Sequence, residues 1–207
     1  KDLSDKLIDQ MAHLDKVCEH LHLPLQSGSN RILSRMKRRY TREEYQNRVK
    51  DLREAVPGIS LTTDIIAGFP GESEADFQET LDMVEKIGFD GAFTFCYSRL
   101  PGTEAAELGD QLPREIKRER LRRLIDLQQK ITLEKNSGLV GGEFEVLVEA
   151  ISEKSSHQLQ GRTRSNKIVV FDSPKELVGD FVWVRILEAG CWALRGKILS
   201  SGIGIYT

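Results

Sequence analysis

Apolar and polar positions along the chain follow two successive rhythms. Up to about residue 135, short apolar runs alternate with stretches whose apolar residues recur every three or four positions; beyond it only alternation with a period of two remains. The first rhythm predicts strands separated by helices, and the second predicts strands alone. An opening helix carries Leu7, Ile8, Met11 and Leu14 on one side. A first strand over residues 17 to 25 ends at "PLQSGS", and a short helix bearing Ile32, Leu33 and Met36 follows. Thr41 and Glu44 have the spacing of a capping box, opening a helix whose Tyr45, Val49, Leu52 and Val56 share a face and which Pro57-Gly58 stops. A second strand, residues 59 to 67, runs into "GFPGE". Ser73 and Asp76 cap the next helix, with Phe77, Leu81 and Val84 inward and Gly88 at its end. The third strand, "GAFTFCYS", ends at "RLPGT", and a long helix begins at Pro113 with Leu121, Leu124, Ile125 and Ile131 on its apolar side.

Strands joined through helices must run parallel, and such sheets place chemistry at the carboxyl ends of their strands. The clusters "PLQSGS", "AGFPGE" and "YSRLPGT" each follow a strand and precede a helix, so all three are expected on one rim. Three strands cannot close a barrel, and no strand pattern precedes the opening helix, so residues 1–137 read as the second half of a βα barrel. After the Gly-rich "NSGLVGG" come five strand patterns, "EFEVLVEAI", "HQLQGRT", "KIVVFD", "DFVWVRILE" and "WALRGKIL", which predict a small OB-like β-barrel over residues 138–201. The expected fold class is therefore α/β followed by an all-β barrel.

Composition refines this only in places. The chain has 207 residues, 39% hydrophobic and 30% charged, enough for a sizeable core, and no apolar run long enough to span a membrane, so a cytoplasmic protein is expected. Cys18, Cys96 and Cys191 are scattered; no metal ligand set and no catalytic residue is assigned. The net charge of −2 conceals basic stripes: residues 30 to 42 carry six cations and no acid, and residues 113 to 135 carry eight cations and four acids. A near-neutral protein can still hold a polyanion at such a stripe, although each stripe also reads as a solvated helix face. Between the second and third barrel strands, "GRTRSNK" offers Arg162, Arg164 and Lys167 as charges and Thr163, Ser165 and Asn166 as hydrogen-bonding groups suited to phosphate and sugar; as a plain alternative it is a polar turn.

Taken in order, "HLPLQSGS", "YTREEY", "TDIIAGFPGESEADF", "FTFCYSRLPGTEAA" and the barrel pattern resemble the radical S-adenosylmethionine (SAM) methylthiotransferase family, including its TRAM domain, over nearly the whole chain. The spellings "HLPLQSGS" and "TDIIAGFPGE" are those of the tRNA-modifying branch rather than the branch that modifies a ribosomal protein. The resemblance implies a partial βα barrel and an RNA-binding TRAM barrel. It implies an intact enzyme that adds a methylthio group to C2 of isopentenyl-modified adenosine beside the tRNA anticodon, using SAM and [4Fe-4S] clusters. The cluster ligands of the family lie in its preceding part, a CxxxCxxC loop and an N-terminal domain, and none matches a cysteine here. The expected partners are thus the anticodon stem-loop of tRNA and the missing N-terminal part of the same polypeptide, with no membrane, and the fragment alone is expected to be inactive.

By the same resemblance, Gln26 and Ser27 would meet the ribose of SAM. Ile66 and Gly68 would meet its adenine, as the central part of a GxIxGxxE-like element in which Asp64 replaces the first glycine and Glu72 comes one position late. Tyr97 and Ser98 would contact it from the third strand, where Leu100 stands in place of the family's common arginine, with Arg99 just before it. Arg162, Thr163, Arg164, Asn166 and Lys167 would hold RNA. Two other readings stay open: a methylthiotransferase acting on threonylcarbamoyladenosine, and a non-catalytic RNA-binding module.

Overall fold

The computed structural model describes residues 3–152, 157–173 and 177–203. The chain forms two compact units, one from the part up to Val17 with Leu21–Ile131, the other from Cys18–His20 with the part from Thr132 onward. This division falls inside the long helix, slightly ahead of the linker suggested by the glycines.

In the first unit the order is α1 (Asp5–His13), β1 (His20–His22), α2 (Asn30–Arg35), α3 (Arg42–Ala55), β2 (Ser60–Ala67), α4 (Glu74–Ile87), β3 (Gly91–Cys96), α5 (Glu104–Glu107) and α6 (Arg114–Ser137). Local signals decide most of these ends. Thr41 accepts from the Glu44 N–H while the Glu44 carboxylate accepts from the Thr41 N–H, Ser73 and Asp76 repeat the arrangement, and Gly88 ends α4 in the left-handed conformation that a side chain disfavours. The sheet order is β1-β2-β3, with β2 and β3 parallel from Thr62 opposite Gly91 to Ala67 opposite Cys96. The strand expected over residues 17 to 25 shrinks to His20–His22. Gln26 adopts a left-handed backbone (φ 66°), so regular pairing gives way to a single bridge between Gln26 and Ile65.

Parallel neighbours in sequential order need crossovers of one hand, which places every crossover helix on the same face. Leu61, Ile65 and Ala67 of β2 accordingly share a core with Val49 and Leu52 of α3, Phe77 and Val84 of α4 and Leu124 of α6. The opposite face, carrying Thr62, Asp64 and Ile66, is open, and its neighbours Phe93 and Phe95 are 61% and 51% exposed.

The second unit is a closed barrel in the order β4-β5-β6-β8-β7, built from β4 (Glu143–Ile151), β5 (Gln158–Thr163), β6 (Ile168–Asp172), β7 (Phe181–Ala189) and β8 (Leu194–Ile203). The five strand patterns are all present. All pairings are antiparallel except β6 with β8, which closes the barrel in parallel. Val146, Val148, Leu159, Val169, Phe171, Val182, Val184, Ile186 and Leu194 fill the interior, as strand alternation requires. No helix among the described residues is long and apolar enough to cross a membrane.

Candidate functional site

The turns after β1, β2 and β3 stand at the carboxyl end of the sheet and touch one another. The Gln26 N–H donates to the Asp64 carbonyl and the Ile66 N–H to the Gln26 carbonyl, at 2.8 and 3.0 Å, joining the first turn to β2. Tyr97 donates its N–H to Ala67, its ring meets Phe69 edge-on at 5.2 Å, and Lys117 lies 5.1 Å above the Tyr97 ring centroid. Ile66 is half-buried, and Gly68 has φ 77° with the Lys117 side chain so close that a Cβ would lie 2.6 Å from Lys117 Cγ. Ile66, Gly68, Tyr97 and Ser98 therefore share one edge of the rim.

Ser27 is different. It is 0% exposed, its hydroxyl pairs with Thr80 Oγ1 at 3.3 Å and accepts from the Ser29 N–H, and the neighbouring Gly28 N–H also donates to Thr80. Its role is to dock the first turn on α4. Gln26 is buried too, at 7% exposure. Glu72 likewise faces inward: its Oε2 accepts from the Gly68 N–H and from Arg120, both at 2.8 Å, and its backbone carbonyl accepts from Arg120 as well. Burial pushes the Glu72 carboxyl above its ordinary range, with the Gly68 N–H and Arg120 pulling the other way. Glu72 thus closes the "GFPGE" turn from within.

A second brace surrounds Asp76. It accepts from Ser29 at 2.6 Å, from the hydroxyl and N–H of Ser73, and from Arg31, whose guanidinium also donates to the Gly71 carbonyl. Burial raises the Asp76 carboxyl, but these donors outweigh it and hold the group far below the usual aspartate range. The basic stripe of residues 31 to 42 is largely consumed in this way. Arg35 pairs with Asp110, Lys37 with Glu104, and Arg42 with Glu43 and Glu79. From the sequence Asp76 stands out only as a helix cap, Arg31, Lys117 and Arg120 only as members of basic stripes, and Thr80 not at all, since the partners that define their roles stand 20 to 52 residues away.

In the barrel, the turn between β5 and β6 is knitted to itself. Arg162 pairs with Glu149 at 3.1 Å and donates to Asn166 Oδ1 at 2.8 Å; Thr163 Oγ1 meets Ser165 and accepts from the Lys167 N–H. Asn166 turns the chain with φ 60°. Arg164 forks onto Glu19, at 2.9 and 2.8 Å, and this hydrogen-bonded guanidinium holds the Glu19 carboxyl below its usual range. Both arginines remain about 40% exposed, so a phosphate can reach them by displacing a carboxylate.

Residues 2–84 match the Radical SAM superfamily model, and residues 139–199 match the TRAM domain model. The chain carries a Radical SAM region followed by a TRAM domain. It is 55% identical over 199 residues to a "tRNA-2-methylthio-N(6)-dimethylallyladenosine synthase" from Moorella thermoacetica, covering 96% of this chain and 45% of that protein. Proteins of the same name from Syntrophomonas wolfei and Thermoanaerobacter sp. are each 52% identical, over 97% and 96% of this chain and 45% and 42% of their own length. The chain therefore spans less than half the length of the curated relatives it matches. A solved radical SAM coproporphyrinogen III oxidase from Escherichia coli aligns at 14% identity with a TM-score of 0.48, over 82% of this chain and 41% of its own, a value too low to carry weight.

Proposed function

We propose that this chain is the portion of a tRNA methylthiotransferase that holds the nucleoside end of SAM and the substrate RNA, in an enzyme that places a methylthio group on C2 of N6-dimethylallyl adenosine beside the anticodon. The observation that carries this reading is identity of 52 to 55% across nearly the whole chain, through both the radical SAM region and the TRAM domain, to relatives of that name. An unrelated RNA-binding scaffold would have no reason to keep the rim motifs together with the barrel.

The rim suits the nucleoside end of the cofactor. Ile66 offers an apolar side chain to a purine face, Gly68 brings backbone close, and Ser98 adds a hydroxyl. The Tyr97 hydroxyl is shut away from solvent without a hydrogen-bond partner, which leaves a donor for a bound ligand. Gln26 and Ser27, expected at the ribose, are less suited as they stand, because both are buried and the Ser27 hydroxyl is already engaged. When bound and reduced, SAM supplies the radical chemistry that activates C2 and, from a second molecule, the methyl group. The iron–sulfur clusters this needs find no ligand set here: among the described residues no three potential ligands converge, and the cysteines stand apart. Glu72, Arg120, Asp76 and Arg31 would keep the turns after β1 and β2 in register while the ligand binds. The TRAM barrel would hold tRNA through backbone and loop contacts, with Arg162, Thr163, Arg164, Asn166 and Lys167 as its candidate contacts.

The test is nucleoside analysis of tRNA from cells lacking the whole gene and cells carrying it. Restoration of 2-methylthio-N6-dimethylallyl adenosine supports the reading. Restoration of only the threonylcarbamoyl counterpart, or of neither, rejects it.

A further inference from the structure

We propose that the outer face of the β7–β8 ribbon is a stacking platform for unpaired RNA bases: Trp183 and Trp192 each take a base against the indole, and Lys197 and Arg195 between them hold the phosphates. This rests on the reading above that the barrel holds tRNA, and deepens it by naming where bases rather than backbone are met. The chain has two tryptophans. Neither belongs to a core: Trp183 is 44% exposed and Trp192 79% exposed, while Phe171 and aliphatic side chains fill the barrel. An indole ordinarily contributes most by burial, so two left outside on one ribbon mark a surface kept for a partner.

β7 and β8 pair antiparallel, with Arg185 opposite Lys197 and Glu188 opposite Arg195. Trp183, Arg185 and Leu187 alternate with the buried Val182, Val184 and Ile186 and so face outward, as Arg195 and Lys197 do on β8. Trp192 stands in the turn that joins the strands. There the Gly190 N–H donates to the Ala193 carbonyl at 3.0 Å, and Asn136 Nδ2 donates to the Gly190 carbonyl at 2.7 Å, so the indole is carried on a pinned turn. Neither indole makes a ring contact, and neither Arg195 nor Lys197 an ion pair, with any described residue. Glu143 is taken up by Arg185, and Glu145, opposite Trp183 on β4, keeps a phosphate track on the β8 side.

This mixture selects the occupant. An indole stacks on a base of any identity, and the cations beside it attract phosphate. An apolar protein surface would instead strip water from Arg195 and Lys197 without returning a counter-charge. The two cations stand two strand residues, about 7 Å, apart, a separation like that of successive phosphates in an extended strand. Helical RNA keeps its bases paired and stacked, so an unpaired stretch is what the indoles can use. Arg162, Leu147 and Phe181 lie in one row across β5, β4 and β7, so the platform continues the candidate phosphate contacts of the β5–β6 turn.

The experiment uses the whole protein with its clusters and two RNAs of equal length, an anticodon stem-loop and a fully paired duplex. Fluorescence anisotropy of labelled RNA gives Kd over a salt series. Trp183→Ala and Trp192→Ala should each weaken stem-loop binding by roughly 5- to 30-fold, the scale of losing one stacked base, while duplex binding and the slope of log affinity against log salt stay unchanged. Trp183→Phe and Trp192→Phe should stay within about threefold of the parent, since a phenyl ring still stacks. Arg195→Ala with Lys197→Ala should instead flatten the slope by roughly one to two units. Unchanged stem-loop affinity in the folded alanine variants overturns the proposal, as does an equal loss on both RNAs; unchanged affinity with a lowered melting temperature assigns the indoles to a protein contact and overturns it too. Should an alanine variant not fold, protein labelled with 5-fluorotryptophan decides: the fluorine resonances lost in Trp183→Phe and Trp192→Phe shift on adding the stem-loop if the indoles stack, and stay in place if they do not. A parent protein that binds neither RNA sinks the functional reading of the barrel itself, whereas one that binds the stem-loop with its variants unaffected sinks only this inference.

Discussion

Glu72 in the turn after β2 pairs with Arg120 of α6, and Arg162 at the end of β5 pairs with Glu149 of β4, yet the two pairs live in different solvents. Arg120 and Glu72 have side chains 5% and 1% exposed, whereas Arg162 and Glu149 are each 40% exposed. In the first place the ions have given up their water and depend on each other and on the backbone of Gly68. In the second, water screens the pair, and separating it costs little. Similar residues therefore make a fixed rim in one unit and an adaptable contact in the other. That division suits the proposed roles, a rim that holds a cofactor in fixed geometry and a barrel surface whose cations are free to change partners with RNA phosphates.

The largest expected effect breaks the buried side of the comparison. Arg120→Ala leaves Glu72 buried without its cation and should destabilise the β2 turn by about 3–5 kcal/mol, read in the whole protein as faster exchange of the β2 amides. Protection as in the parent would mean that the pair is not what closes the turn. Next, Asp76→Asn weakens four charge-assisted contacts and should cost about 2–3 kcal/mol at neutral pH. Because the folded-state carboxyl is depressed, its stabilisation is complete above the ordinary aspartate value of 3.8 and fades as the pH falls below it. The gap between the urea midpoints of parent and variant should therefore be constant above about pH 5 and narrow progressively as the pH falls below 3.8, and a gap that stays constant there would contradict this.

Gly28→Ala comes third, since its Cβ would lie 2.5 Å from the Glu79 carbonyl oxygen and 2.6 Å from Thr80 Cα, both backbone. A loss of about 1–3 kcal/mol is expected, with weakened SAM binding as the docked turn shifts; an unchanged melting curve would show that α4 yields easily. The smallest effect sharpens the exposed side. Arg162→Ala with Arg164→Ala should change stability by under about 1 kcal/mol per pair, while flattening the slope of log tRNA affinity against log salt by roughly one to two units. An unaltered slope in the folded variant would leave the barrel turn with no phosphate contact.

What the residues disclosed in advance was whatever depends on near neighbours. Thr41 with Glu44, Ser73 with Asp76, and Gly88 set helix ends through bonds three or four positions apart. The barrel strands announced themselves because one face of each meets a core and the other meets water. The rim clusters could be placed at the strand ends, because a parallel sheet allows no other arrangement. The interior of the rim was illegible. Whether Ser27 reaches a ribose or Thr80 is decided 53 residues away, and Arg120, one cation in a stripe that reads as solvated, proves to be 4% exposed. The first strand was overcalled because the left-handed backbone at Gln26, which interrupts the ladder, leaves no trace in side-chain polarity.

The parallel contact between β6 and β8 has a consequence for synthesis on the ribosome. β8 enters between β6 and β7, which come before it in the chain, so neither has its final neighbour until Leu194–Ile203 has been made. Until then both present open edges, the form of a β-sheet most prone to adhere to other chains. The βα layers can assemble as they emerge, whereas the barrel must wait for its last strand. A nascent chain stalled before Leu194 is accordingly the stage at which this protein most needs a chaperone.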